Sequence, residues 1–261
     1  MKKLSAYLLL LVGLMFTSCI PTKDLIYLQG EPTQPGQAVN PVVAKPYRLQ
    51  TNDILNITIK AIDPDFVQLF QPSATGQTAR TEQSLFFEGF MVDDHGNIRM
   101  PILNEVNVLG FTLEEARQII EKRLLAEYFT AEANLFVNVK LSGFRYTING
   151  EVGAPGTKTL FQEKVNLLEA IANANDITVT GDRKSVVVIR QLPSGTEMHT
   201  VDLTRRDALN SPYFYLQPND YVYVKPLPQK TLGTGTTLVQ SMATIISVLS
   251  LITTVTILAT R

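Results

Sequence analysis

Residues 146–160, Tyr146-Thr-Ile-Asn-Gly-Glu-Val-Gly-Ala-Pro-Gly-Thr-Lys-Thr-Leu160, read as strand, turn and strand. Tyr146, Ile148 and Gly150 alternate with polar neighbours, the period of a half-buried strand, and Gly153, Pro155 and Gly156 supply the breakers that reverse the chain. Working toward the C-terminus, Asn166-Leu-Leu-Glu169 is a capped helix start, with Leu167, Leu168, Ala170 and Ile171 forming an apolar stripe that ends at Asn173–Asp176. Val186–Ile189 is an unbroken β-branched run suited to a central strand. Met198–Leu203 is expected to pair with it through a turn at Pro193-Ser-Gly195, and Tyr221–Lys225 to close the sheet.

Upstream, the segment from Tyr47 repeats the one from Phe214 without gaps: Leu49 falls on Leu216, Gln50 on Gln217, Asn52 on Asn219, Asp53 on Asp220 and Ile57 on Val224. Both halves are thus expected to open a strand with the same device, a turn capped by the Asp53 or Asp220 side chain. Asp63–Ser84 is polar, with Pro64, Pro72 and Gly76, and reads as a surface loop. Phe90–Pro101 and Val106–Gly110 follow as strand, Asp/Gly turn, short strand, Pro and another strand. Thr112-Leu-Glu-Glu115 is a capping box, and Leu113, Ala116, Ile119, Ile120, Leu124 and Leu125 recur at helical spacing to about Tyr128. Phe136, Val137 and Val139 resume a strand.

The 261 residues are 45% hydrophobic with a net charge of −1, enough for one or two cores and without the basic excess of a nucleic-acid binder. One cysteine and two histidines give neither an intrachain disulfide nor a Cys/His metal pattern. That cysteine, Cys19, follows Lys2-Lys3, an apolar run over Leu4–Met15 and Phe16-Thr-Ser18, the layout of a secretory signal ending at the cysteine. An uncleaved anchor and an ordinary signal peptide are the alternatives. Ile20–Pro46 carries five prolines and two glycines and reads as a tether lying over the first domain, with only Leu25–Leu28 able to dock.

No charged residue lies between Lys230 and Arg261, and Leu238–Ala259 lacks Pro and Gly. A helix of about 25 residues there would run roughly 37 Å, enough to cross a bilayer. Thr237, Gln240, Ser241, Thr244, Ser247 and Thr254 fall near one side of it, and Leu238, Met242, Ile245, Leu249 and Ile252 on another. One face suits water or neighbouring helices, the other lipid. A single anchor helix packing its Ser/Thr face on a partner is the alternative.

Several of these segments carry a resemblance. Phe16-Thr-Ser-Cys19 resembles a bacterial lipobox, with Phe16 in place of the usual Leu and Ser18 in place of Gly or Ala. Ile20-Pro21 lacks the Asp of inner-membrane retention, which implies the outer membrane. Tyr47, Leu49, Asp53, Leu55 and Ile57, then Val-Asp-x-x-Gly-x-Ile-x-x-Pro over 92–101 and the Thr112 helix, resemble the export domain of Wza-type polysaccharide export proteins. The 146–160 hairpin, with Gly150-Glu-Val and Pro155-Gly156, resembles the opening of their soluble-ligand-binding β-grasp (SLBB) domain. The resemblance implies an α+β fold: a signal peptide over 1–18, a lipidated tether over 19–46, an export domain over 47–141, an SLBB domain over 142–230 and an amphipathic transmembrane helix over 231–261. It implies an outer-membrane lipoprotein that forms a homo-oligomeric ring, whose C-terminal helices join into a porin-like barrel for capsular polysaccharide or exopolysaccharide. An inner-membrane co-polymerase of the tyrosine-kinase type would be its partner, with no cofactor and no nucleic acid. The first rival is a non-channel envelope lipoprotein that binds glycan or peptidoglycan and uses the last helix as a plain anchor, and the second is a cell-envelope enzyme accessory factor.

Candidates for catalysis are few. Asp93-Asp94-His95 reads as a turn, His199 with Asp202 as strand surface, and Asp63/Asp65 and Glu114/Glu115 as loop and helix-cap residues. A glycosidase needs two carboxylates facing across a cleft, and no nucleotide-binding glycine loop appears. The expectation is a protein that is not an enzyme.

Overall fold

Leu55, Ile57 and Ile59 alternate with Asn56 and Thr58, and in the computed structural model they bury one face of strand β1 (Ile54–Lys60). The structure describes residues 21–30, 46–70, 87–130, 133–192, 194–231 and 246–254. In the first domain β1 is the middle of three antiparallel strands, between β2 (Phe90–Met91) and β5 (Phe136–Leu141). A hairpin of β3 (Asn97–Met100) and β4 (Asn104–Asn107) follows β2. The helix expected after Thr112 spans Leu113–Glu127. The Thr112 hydroxyl accepts from Glu115 N while Thr112 N donates to the Glu115 carboxylate. Its buried face is Ala116, Ile120 and Leu124, and each large side chain withdrawn from water there contributes about 1.5–3 kcal/mol.

The surface loop expected over Asp63–Ser84 begins instead as a short helix, Pro64–Gln68, capped by the Asp63 carboxylate. Phe66, Val67 and Phe70 are the cause. Phe66 and Phe70 meet Phe129 at ring distances of 5.1 and 5.6 Å, and Phe70 also meets Tyr128 at 5.3 Å, so apolar burial overrides the polar composition around them. Residues 71–86 lie outside the described residues.

The second domain is a five-stranded sheet in the order β7-β6-β10-β8-β9, built from β6 (Phe144–Gly150), β7 (Gly156–Leu160), β8 (Gly181–Leu192), β9 (Gly195–Val201) and β10 (Tyr221–Pro226). The strand expected to close this sheet, β10, stands at its centre, parallel to β6 and antiparallel to β8. Val222 and Val224 are fully buried there, which a central position requires. A short helix, Leu167–Ala172, capped by Asn166 and Glu169, covers the core face, and the buried Tyr146 hydroxyl donates to Ala170 O at 2.8 Å. Between β6 and β7 the chain presses onto the loop after this helix: Gly153 N donates to Asp176 O, and a Cβ at Gly153 would lie 2.5 Å from Asn175 O. Only glycine permits that approach.

The tether expectation needs correction. Residues 21–30 dock on the second domain. Leu28 N and Gln29 N donate to Leu203 O and Thr204 O, Tyr27 Oη donates to Asp176, and the Arg183 guanidinium stacks over the Tyr27 ring at 5.2 Å. Leu25–Leu28 thus docks, on a surface that lies more than 140 residues away in sequence. Tyr27→Ala should cost about 2 kcal/mol, from the ring's cation–π contact and its hydrogen bond. Hydrogen exchange should then accelerate at Leu28 and Gln29; unchanged protection there would refute the latch.

Candidate functional site

The two turns of the internal repeat are superimposable in chemistry. Asn52 and Asn219 both take φ of 67°, the left-handed region that Asn tolerates. Gln50 N donates to Asp53 Oδ2 at 2.9 Å, and Gln217 N to Asp220 Oδ2 at 2.7 Å. Both carboxylates are buried, at 3% and 1% exposure, and their remaining partners differ. Asp53 takes the Tyr47 hydroxyl at 2.8 Å. Asp220 takes Arg190 in a two-point pair, Nε at 3.0 Å and Nη2 at 2.7 Å. Burial pushes both carboxyls above their ordinary value; the Gln50 N–H and Tyr47 hydroxyl pull Asp53 back, and Arg190 pulls Asp220 back.

Arg190 was not singled out by sequence reading. The signal available is a lone cation closing the apolar run Val186–Ile189, since a charge in a central strand demands a counter-charge. Around it, Tyr213 lies under the Arg190 guanidinium at 4.9 Å, stacks on His199 at 3.7 Å, and donates its hydroxyl to Glu197 at 2.5 Å.

The other candidate groups are held in local structure. Asp93 accepts from His95 N and Asn97 N, closing the turn before β3. Asp202 accepts from the Thr204 amide and hydroxyl. Glu114 is paired with Arg117, which with Gln118 holds its carboxyl down at about 2. Asp63 is a helix cap, and Asp65 follows it in the first turn. Among the described residues no three His, Cys, Asp or Glu side chains group to hold a metal ion. Pro155 precedes β7, and Gly156 opens it at φ of 137°.

Cys19, Thr237, Gln240, Ser241 and Thr244 lie outside the described residues. Ser247 is exposed within the helical stretch 246–254, as are Ile246, Leu249, Leu251 and Ile252. Among the described residues no helix is long and apolar enough to cross a membrane, so the expected spanning helix stands on the sequence alone.

The geometry defines a two-domain α/β scaffold whose buried carboxylates brace turns. Residues 41–140 match the family described as polysaccharide biosynthesis/export protein, and residues 145–224 match the SLBB domain. The chain belongs to the Wza-type polysaccharide export proteins that carry an SLBB domain, which is not an enzyme family. It is 29% identical over 161 residues to the EPS I polysaccharide export outer membrane protein EpsA of Ralstonia nicotianae, an alignment covering 58% of this chain and 41% of that protein. The protein of the same name from Ralstonia solanacearum is 29% identical over 154 residues, covering 56% of this chain and 40% of the relative. The chain therefore spans about two-fifths of the length of these relatives.

Proposed function

We propose that this chain is a subunit of an outer-membrane export channel for capsular polysaccharide or exopolysaccharide. The reading is carried by one observation: an export domain and an SLBB domain stand in tandem in a chain whose relatives are named as polysaccharide export outer membrane proteins. Cys19 carries the lipid anchor, with most of the chain in the periplasm. Copies assemble into a ring, and the C-terminal segment 231–261 of each supplies an amphipathic helix that turns Thr237, Gln240, Ser241, Thr244 and Ser247 toward a hydrated lumen. Such a barrel satisfies its backbone hydrogen bonds within each helix, as lipid demands. Asp53, Asp220, Pro155 and Gly156 are structural, shaping the turns of the two domains. Transport is passive through the lumen, with the drive supplied by a polymerase and a co-polymerase in the inner membrane, so no residue of this chain performs chemistry.

Deletion of the gene should abolish surface polysaccharide, and gentle detergent extraction followed by particle imaging should show rings. Monomers with intact export would favour the plain-anchor reading instead. Cys19→Ala should remove lipid labelling and shift the protein out of the outer-membrane fraction. Several acyl chains at about 0.8 kcal/mol per buried methylene make that anchor strong, and lipid labelling that survives the substitution would refute the assignment.

A further inference from the structure

Among the described residues, one face of the second domain's sheet is partly open, and strand register fixes which residues share it. Tyr221 lies opposite Thr147 and Ile189, and Tyr223 opposite Asn149 and Val187. On β9 the same rows continue to Met198 and Thr200. Directly paired residues stand on the same side of a sheet. The alternate residues, Ile148, Val222 and Val188, are fully buried in the core beneath. None of these eight residues carries a charge, while Arg145, two residues before Thr147 on β6, stands exposed at one end of the same face. Both tyrosines, Thr147 and Ile189 are half-buried, Val187 is buried, and Asn149, Met198 and Thr200 are exposed.

The face is held in shape from within. Asn149 Nδ2 donates to Tyr221 Oη at 2.9 Å, and the Thr147 and Thr157 hydroxyls meet at 3.1 Å. The Tyr223 ring comes close over Gly150, where a Cβ would stand 3.0 Å from Tyr223 Cε2 and 2.0 Å from Val224 O. Glycine at 150, with φ of 93°, thus leaves room for the ring. The result is a pair of aromatic rings set among amide and hydroxyl groups. Tyrosine offers an apolar body and a polar tip, and the neighbouring Asn and Thr groups both donate and accept hydrogen bonds. That chemistry matches an uncharged polyol, whose C–H faces pack on rings while its hydroxyls exchange hydrogen bonds. An ionic ligand would find no counter-charge in the middle of this face.

We propose that this open face is a contact surface for the polymer itself, taking neutral pyranose segments of the polysaccharide on Tyr221 and Tyr223. The assignment rests on the export reading above and adds to it a specific place where the sugar touches the protein. The face is suited to transient contact, because the rings are few.

The test uses the full chain in detergent on native gels cast with polysaccharide purified from the culture medium of the producing strain. The parent protein should be retarded. Tyr221→Ala with Tyr223→Ala should weaken retardation by about tenfold in apparent affinity, the scale of lost aromatic contacts. Tyr221→Phe with Tyr223→Phe keeps the rings and should stay retarded. Thr200→Glu, at an exposed position, should also weaken retardation and guards against a Tyr-to-Ala variant that fails to fold. No retardation of the parent, or equal retardation of parent, Ala pair and Thr200→Glu, overturns the proposal. So does dissociation of the oligomer by Thr200→Glu, which would make this face an interface between copies of the chain. Surface polysaccharide that persists after gene deletion would sink the export reading itself. Loss on deletion, together with unaltered retardation of the variants, would sink only the contact surface.

Discussion

Asp220→Ala is expected to destabilise the second domain by about 3–5 kcal/mol, because it strands the buried Arg190 guanidinium without its carboxylate. That is a large share of the 5–15 kcal/mol that holds a typical domain together. Asp53→Ala, the matching change in the first domain, removes a turn acceptor and a partner for the Tyr47 hydroxyl but leaves no charge unpaired, so about 1 kcal/mol is expected. The contrast is the measurement. Denaturant titration followed by hydrogen exchange in each domain should show a loss several times larger at position 220. Replacing both members, Asp220→Leu with Arg190→Met, should recover part of the loss, since an apolar pair needs no compensation. Equal effects at positions 53 and 220 would mean that the Arg190 pair contributes nothing beyond the turn.

Ile245→Lys is expected to eliminate surface polysaccharide, while Thr244→Lys preserves export at a reduced level. On the proposed barrel the two neighbours face opposite environments. A lysine at 244 remains solvated in the lumen, whereas one at 245 enters lipid near the bilayer centre at about 3 kcal/mol per subunit on insertion scales. Every copy in the ring bears that cost, so assembly in the membrane should fail. Equal damage from both substitutions would indicate a packed anchor helix, and no damage from either would mean that the tail does not enter a membrane. Quantifying surface polysaccharide and membrane insertion of each variant separates the three outcomes.

What the sequence made readable was local. The capping boxes at Thr112–Glu115 and Asn166–Glu169 are complete within four residues, and both helices start where those residues place them. The Asx geometry at Asp53 and Asp220 is equally local, since each carboxylate answers the amide three positions earlier. Arg190 is 30 residues from Asp220, and nothing within either segment announces the other. The place of β10 between β6 and β8 depends on a parallel pairing over more than 70 residues, which alternation alone does not encode. The helix at Pro64–Gln68 escaped notice because three apolar residues sit among turn formers, and only their meeting with Phe129 shows what they bury. The ability of Leu25–Leu28 to dock is readable in the sequence, but the address read there, the first domain, is wrong, because its partners Leu203 and Thr204 stand about 175 residues away.

That docked segment changes how the chain should be pictured. Residues 21–30 and those after 165 belong to one compact unit, while 46–145 form most of the other. In connectivity, residues 46–145 are a guest inserted into a host assembled from both flanks of the described chain, and 159–165 belong to the guest as well. Cys19, two positions before the docked Pro21, and the tail after Lys230, whose ammonium pairs with Glu151, both leave from the host. Force applied at either proposed membrane attachment would run through the SLBB sheet and bypass the guest. Residues 46–145 could then be resized without moving either mooring point, whereas the chain re-enters the guest at 159–165.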